Sequence, residues 1–168
     1  MTALSSSAAA PRQPHPTEDF GWALGVLLRE YRDRVAPILA DFPQGERGYQ
    51  TLSEVVVHGD QPSQLALANR LGIDRTVMTY LVDDLEDAGL VARRANPEDR
   101  RQRRIVPTGQ GHDTLAELCV RVVGAEALTL ASLTPDERVV FRRLLIKAAS
   151  GGDPSLDPCE VADELAPR

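Results

Sequence analysis

The chain has little cysteine and no long apolar run. Two cysteines, Cys119 and Cys159, in 168 residues, with no signal-peptide pattern ahead of them, argue against a disulfide scaffold and point to a reducing interior, the cytoplasm. No apolar stretch approaches the roughly 18 residues needed to cross a bilayer, so a membrane role is not expected. The three histidines, His15, His58 and His112, lie far apart. HExxH, CxxC, phosphate-binding glycine-loop and nucleophile-elbow motifs are all missing, so the chain carries no recognisable catalytic, metal or cofactor machinery. It also lacks an internal repeat at 20 to 50 residues and an overall basic surplus. A net charge of −6 with a pI near 5.1 would argue against a nucleic-acid partner if the charge were spread evenly.

It is not spread evenly. Residues 151 to 168 hold Asp153, Asp157, Glu160, Asp163 and Glu164 against Arg168, a net −4. Residues 93 to 104 hold six arginines (Arg93, Arg94, Arg100, Arg101, Arg103 and Arg104) against Glu98 and Asp99, a local +4. The stretches 90–94 and 103–106 read as two short strands, joined by a turn at Asn96-Pro97-Glu98-Asp99. A hairpin with that charge suits phosphates and a narrow minor groove, with Arg94, Arg100, Arg101 and Arg103 as its DNA-binding candidates.

A tight pair of helices precedes the hairpin. In Leu71-Gly72-Ile73-Asp74, Gly72 suits the left-handed end of one helix and Asp74 the N-cap of the next. At about 100° per residue, Val77, Met78, Leu81, Val82, Leu85 and Ala88 share one arc of the second helix. Arg75, Thr76, Thr79, Tyr80 and Asp83 share the other. The first arc is core, and Arg75, Thr76, Thr79 and Tyr80 are candidates to read base edges or hold phosphate. Asp83, Asp84, Glu86 and Asp87 repel phosphates. Their place in the helix's second half lets them lie away from the groove, and some could pair with wing arginines to orient the hairpin.

Residues 1 to 16, rich in Ser, Ala and Pro, have too little apolar content to order themselves. From Thr17 on, Phe20, Leu24, Leu27, Leu28, Tyr31 and Val35 recur at helical spacing until Pro37. A second helix is expected from about Gln44 to His58, and a third after an N-cap at Ser63. Beyond the hairpin, Pro107-Thr108 opens a long helix through Leu115, Leu118, Cys119, Val122 and Val123. Thr134-Pro135-Asp136-Glu137 forms a capping box ahead of another. The expected fold is therefore mainly α with a small β-hairpin wing, a winged helix-turn-helix flanked by long N- and C-terminal helices. The folded domain spans 17–150, the DNA-binding unit about 63–108, and an acidic tail 151–168. The long terminal helices carry more apolar face than a compact winged helix requires, which predicts a homodimer.

Asn96-Pro97-Glu98-Asp99-Arg100-Arg101, followed by Thr108-Gly109-Gln110-Gly111, resembles the wing signature of the MarR family of bacterial transcription regulators. Residues 67–75, 81–86 and 89–91 are similar to the same family's recognition unit. The resemblance runs from about residue 17 to 150. It implies a triangular homodimer whose terminal helices form the base and whose two winged helices meet a pseudo-palindromic site on double-stranded DNA. By the same resemblance Arg101 would enter the minor groove and Asp99 would shape the wing tip. A small, often aromatic, effector would bind between base and reading head, where Trp22, Tyr31, Tyr49 and His58 fall on the first two helices; aromatic residues at helical spacing also serve ordinary cores. Tyr80 and Asp84 depart from the basic residues frequent in relatives, so a base preference does not carry over. Relatives that sense peroxides place the reactive cysteine in the first helix, which has none here, and the apolar neighbours of Cys119 favour a core thiol.

These features together predict a dimeric, sequence-specific transcription regulator, a repressor responsive to a small molecule. The alternative from another class is a winged-helix protein-interaction module without specific DNA binding.

Overall fold

The computed structural model describes residues 19–96 and 102–149. Six helices and two strands follow in the order α1 (Phe20–Val35), α2 (Gly45–His58), α3 (Gln64–Leu71), α4 (Arg75–Asp87), β1 (Val91–Ala95), β2 (Arg103–Pro107), α5 (Gly109–Thr129) and α6 (Pro135–Ala149). The architecture is mainly α with a two-stranded antiparallel hairpin. The N-terminal segment 1–16, the wing-tip residues Asp99, Arg100 and Arg101, and the acidic tail 151–168 with Cys159 lie outside the described residues.

Local chemistry accounts for the boundaries. Asp19 opens α1 by accepting from the Trp22 amide at 2.7 Å, Ser63 opens α3 through the Ala66 amide, and Thr108 opens α5 through the Gly111 amide. At α6 the capping box closes in both directions, Glu137 accepting from the Thr134 amide and Thr134 Oγ1 from the Glu137 amide. The second helix starts at Gly45, one residue later than expected. Gln44 takes a left-handed φ of 58° as its N-cap, and its side-chain amide bonds Asp84 Oδ2 on α4.

The helix-turn-helix forms as its turn residues require. Gly72 ends α3 with φ 61°, and Asp74 Oδ1 caps α4 through the amides of Thr76 and Val77 at 2.8 and 3.4 Å. The core arc of α4 buries Met78, Leu81, Val82 and Leu85, with Val77 and Ala88 packed at its margin. These side chains close on Leu52 and Val55 of α2, Leu67 of α3, Val91 and Ile105 of the hairpin and Leu115 of α5.

The hairpin pairs Val91 with Pro107 through Ala95 with Arg103, and the Asn96 amide closes it onto the Gln102 carbonyl. The outer edge of β2 is also paired: Ile105 donates to the Pro62 carbonyl at 2.9 Å, and Ser63 bridges to Arg104. A Cβ on Gly111 would stand 2.1 Å from the Leu90 carbonyl oxygen. Only glycine lets the first turn of α5 lie this close to the strand backbone.

Residues Leu118, Val122 and Ala125 of α5 form a second, smaller core with Val35 and Leu39. At 1.5 Å per residue, α5 is about 30 Å long and links the two cores. Phe42 and Tyr49 pack against both.

Candidate nucleic-acid interface

The outer arc of α4 faces solvent beside the hairpin. Arg75, Thr76 and Tyr80 are exposed, Tyr80 by 63%, so an aromatic ring stands in water on a helix whose opposite side is fully buried. Thr79 differs from its neighbours. Its half-buried hydroxyl donates to the Arg75 carbonyl at 3.0 Å and accepts from Gln64 Nε2 at 2.6 Å, so its one proton is engaged within the protein. Sequence reasoning did not single out Gln64, because nothing in its local pattern signals that the first residue of α3 reaches across to α4.

On the hairpin, Arg94 ends near the tip of β1 and Arg103 begins β2, both exposed. Arg93 behaves otherwise. Its guanidinium pairs through Nη1 with Glu86 and through Nη2 with Asp83, and its backbone amide donates to Glu86 Oε1 at 2.9 Å. The expected pairing of helix acids with wing arginines is thereby found, and its members are Asp83, Glu86 and Arg93. The amide bond from Arg93, joined by its guanidinium, holds the Glu86 carboxyl below its ordinary range. Asp84 is engaged by Gln44 on the other side. Asp87 is exposed at the helix end.

The face formed by α4 and the hairpin thus presents Arg75, Thr76, Tyr80, Arg94 and Arg103 outward, while three of the four nearby acids are occupied by protein partners. Its positive charge on the described wing stands in a chain that is acidic overall, a local field that attracts a polyanion.

The four aromatic and histidine residues of α1 and α2 do not line one cavity. A cavity of about 440 Å³ lies between α1, the end of α5 and α6, walled by Leu24, Leu28, Tyr31, Leu130, Phe141 and Leu145 among others. Tyr31 alone of the four reaches it. Trp22 is half exposed on the first turns of α1, Tyr49 sets its hydroxyl 3.4 Å from Cys119 Sγ, and His58 Nε2 lies 3.3 Å from Glu54 at the end of α2. Arg70 joins that last group by bridging Glu54 and Asp60. Burial raises the Tyr31 hydroxyl, with Glu126 and Glu46 adding to the effect. Burial followed by the contact with Cys119 raises Tyr49 further. The polar side of the cavity is the Glu126–Arg142 ion pair. Its apolar walls come from the leucines and Tyr31 of α1 on one side and from Leu130 and α6 on the other, and apart from Tyr31 none of these is an aromatic residue of the first two helices.

Among the described residues no group of His, Cys, Asp or Glu side chains could hold a metal ion. No described helix is long and apolar enough to cross a membrane.

Residues 48–102 match the model of the MarR family, a span that holds most of α2, all of α3, α4 and β1, and stops short of β2. The winged-helix segment is similar to the MarR family. Solved structures extend the likeness beyond that segment. CouR from Rhodococcus jostii RHA1, bound to p-coumaroyl-CoA, is 26% identical, with 84% of this chain and 97% of that one covered at a TM-score of 0.68. A MarR-family transcriptional regulator from Rhodococcus sp. RHA1 is 24% identical over 82% of this chain and 96% of its own, at 0.71. BpsR from Bordetella bronchiseptica, whose DNA binding is regulated by 6-hydroxynicotinic acid, is 22% identical over 80% and 96%, at 0.65. The last two show the shared fold. The head thus resembles the MarR family, and the solved structures share its fold through the helices that flank it.

Proposed function

We propose that this chain is a homodimeric, sequence-specific transcription regulator that represses from a pseudo-palindromic operator on double-stranded DNA and is released by a small molecule. The observation that carries the reading is the outer face of α4, with Arg75, Thr76 and Tyr80 exposed beside the arginines of the hairpin. Helices of this kind enter the major groove by their N-terminal half, while a basic wing follows the neighbouring backbone. Arg75, Arg94, Arg100, Arg101 and Arg103 would hold phosphate or groove, and Thr76, Thr79 and Tyr80 would discriminate bases. Asp99 would shape the wing tip.

Dimerisation is supported by the terminal helices. No residue of α6 is buried, and Val139, Val140, Leu144 and Leu145 are 44–69% exposed. A second copy covering these faces would set the two reading helices about 34–36 Å apart, and so half-sites about 10 base pairs apart. A dimer seated on a promoter in the cytoplasm blocks polymerase. An effector is supported by CouR, solved bound to p-coumaroyl-CoA, by BpsR, whose DNA binding 6-hydroxynicotinic acid regulates, and by the cavity beside Tyr31.

Fluorescence anisotropy across a salt series, with fragments of the protein's own upstream region against random duplex, tests the proposal. Saturable binding to one fragment far above random DNA, weakening with a log–log slope near −0.9 per neutralised phosphate, is expected. Arg101→Ala should weaken binding to every duplex, and Tyr80→Ala should change preference among sequences. Equal, weak binding to all fragments would favour the protein-interaction module instead.

A further inference from the structure

Carboxylates on a helix that enters DNA need a reason to be there. The geometry points to one: Asp83 and Glu86 of α4 and Arg93 of β1 form a clamp that sets the angle of the wing against the reading helix. Arg93 is then a positioning residue that makes no DNA contact. This inference rests on the DNA-binding reading above.

Asp83 and Glu86 are three residues apart and so project from one side of α4. The planar fork of Arg93 spans them, one Nη group to each carboxylate, a geometry that an ammonium group cannot reproduce. The backbone adds a constraint that side chains alone would not supply. Arg93 stands opposite Ile105 in the hairpin, and the amides of this pair both bond outward: Ile105 to the Pro62 carbonyl, Arg93 to Glu86 Oε1. Both outer edges of the ribbon are thus pinned, β2 to the segment before α3 and β1 to the reading helix. A two-stranded ribbon is marginal by itself in water, so such anchors decide where its charged tip points. Arg93 is also the wrong arginine for phosphate. Its side chain is 23% exposed, whereas Arg94, one residue on and directed to the opposite face of the strand, is exposed. A phosphate reaching Arg93 would have to displace two carboxylates.

Two views of Arg93 predict opposite signs. The isosteric pair Asp83→Asn and Glu86→Gln removes two negative charges close to the DNA. If Arg93 is a phosphate contact held in reserve, the double variant should bind operator more tightly, with a steeper salt dependence. If the clamp aims the wing, the variant should bind more weakly, roughly three- to thirty-fold, with the log–log salt slope unchanged because no phosphate contact is lost. Arg93→Lys keeps the charge without the fork and should lose a similar factor. Tighter binding by the double variant, wild-type affinity for Arg93→Lys, or a slope about 0.9 shallower in Arg93→Ala would each overturn the inference.

Amide hydrogen exchange on the free, full-length protein reads the clamp without DNA. The Arg93 amide should exchange faster in Glu86→Ala while core amides of α4 hold their wild-type rates, which also shows that the head is folded. An Arg93 amide indifferent to Glu86 would sink the clamp alone. A wild type that binds no duplex would sink the DNA-binding reading, and the wing's role on DNA with it.

Discussion

The winged head and the terminal-helix base solve the problem of apolar surface differently. In the head, Leu52, Val55, Leu67, Met78, Leu81, Val82, Leu85 and Ile105 have no exposed surface, and they come from three short helices and one strand. In the base, a smaller cluster around Val35, Leu39, Leu118 and Val122 is flanked by α1, α5 and α6, which leave Phe20, Trp22, Val120, Leu128, Val139 and Leu144 in solvent. The head closes on itself. The base is shaped for something further to close it, and large exposed apolar faces of this kind mark association surfaces.

The sharpest way to break this contrast is inside the head. Gly111→Ala puts a Cβ into the Leu90 carbonyl, and neither the helix nor the strand can retreat without opening the core between them. A loss of about 3 kcal/mol is expected, seen as a lower urea midpoint, and an unchanged midpoint would show that the head is looser than its packing implies. In the base, Leu144→Glu should leave helical content and the head's unfolding midpoint near wild type while converting the proposed dimer to monomer in sedimentation. A folded dimer in that variant would remove α6 from the interface.

Smaller effects sharpen the comparison. Ser63→Ala deletes the cap of α3 and should lower the head's stability by about 1 kcal/mol in the same denaturation assay. Stability should fall at both extremes of pH. Asp60 and Glu86, in the head, titrate below their ordinary values, Asp60 because Arg70 hydrogen-bonds it and Glu86 because of the Arg93 amide. Their contribution is complete above the ordinary values of 3.8 and 4.5 and is lost as the pH falls through the lower folded values. Tyr31, in the base, is raised by burial above its ordinary 10.0. The stability linked to it is complete below that value and is lost as the pH climbs towards the folded one. Circular dichroism at the two extremes should show both losses.

The elements themselves were legible from local chemistry. Gly72 and Asp74 define their turn because a left-handed residue and an N-cap follow from residue type. The Thr134–Glu137 capping box and the arc of Met78, Leu81, Val82 and Leu85 depend on spacings of three and four that any helix must honour. The exposed candidates Arg75, Thr76 and Tyr80 follow from the same geometry, since the far side of a buried stripe is solvent.

What the sequence could not supply were pairings between groups distant along the chain. Nothing local says that Gln64 takes up the Thr79 hydroxyl fifteen residues away, that Gln44 reaches Asp84 across forty, or that Arg93 rather than Arg94 faces the acids of α4. The cavity beside Tyr31 likewise needs α1, α5 and α6 brought together before it exists. Periodicity, caps and charge runs are properties of single elements, so residue order by itself determined the helices, the hairpin and the side of α4 left to solvent. Which polar groups neutralise one another, and hence which arginines remain for a partner, depends on how rigid elements are docked, and only the tertiary structure decided that.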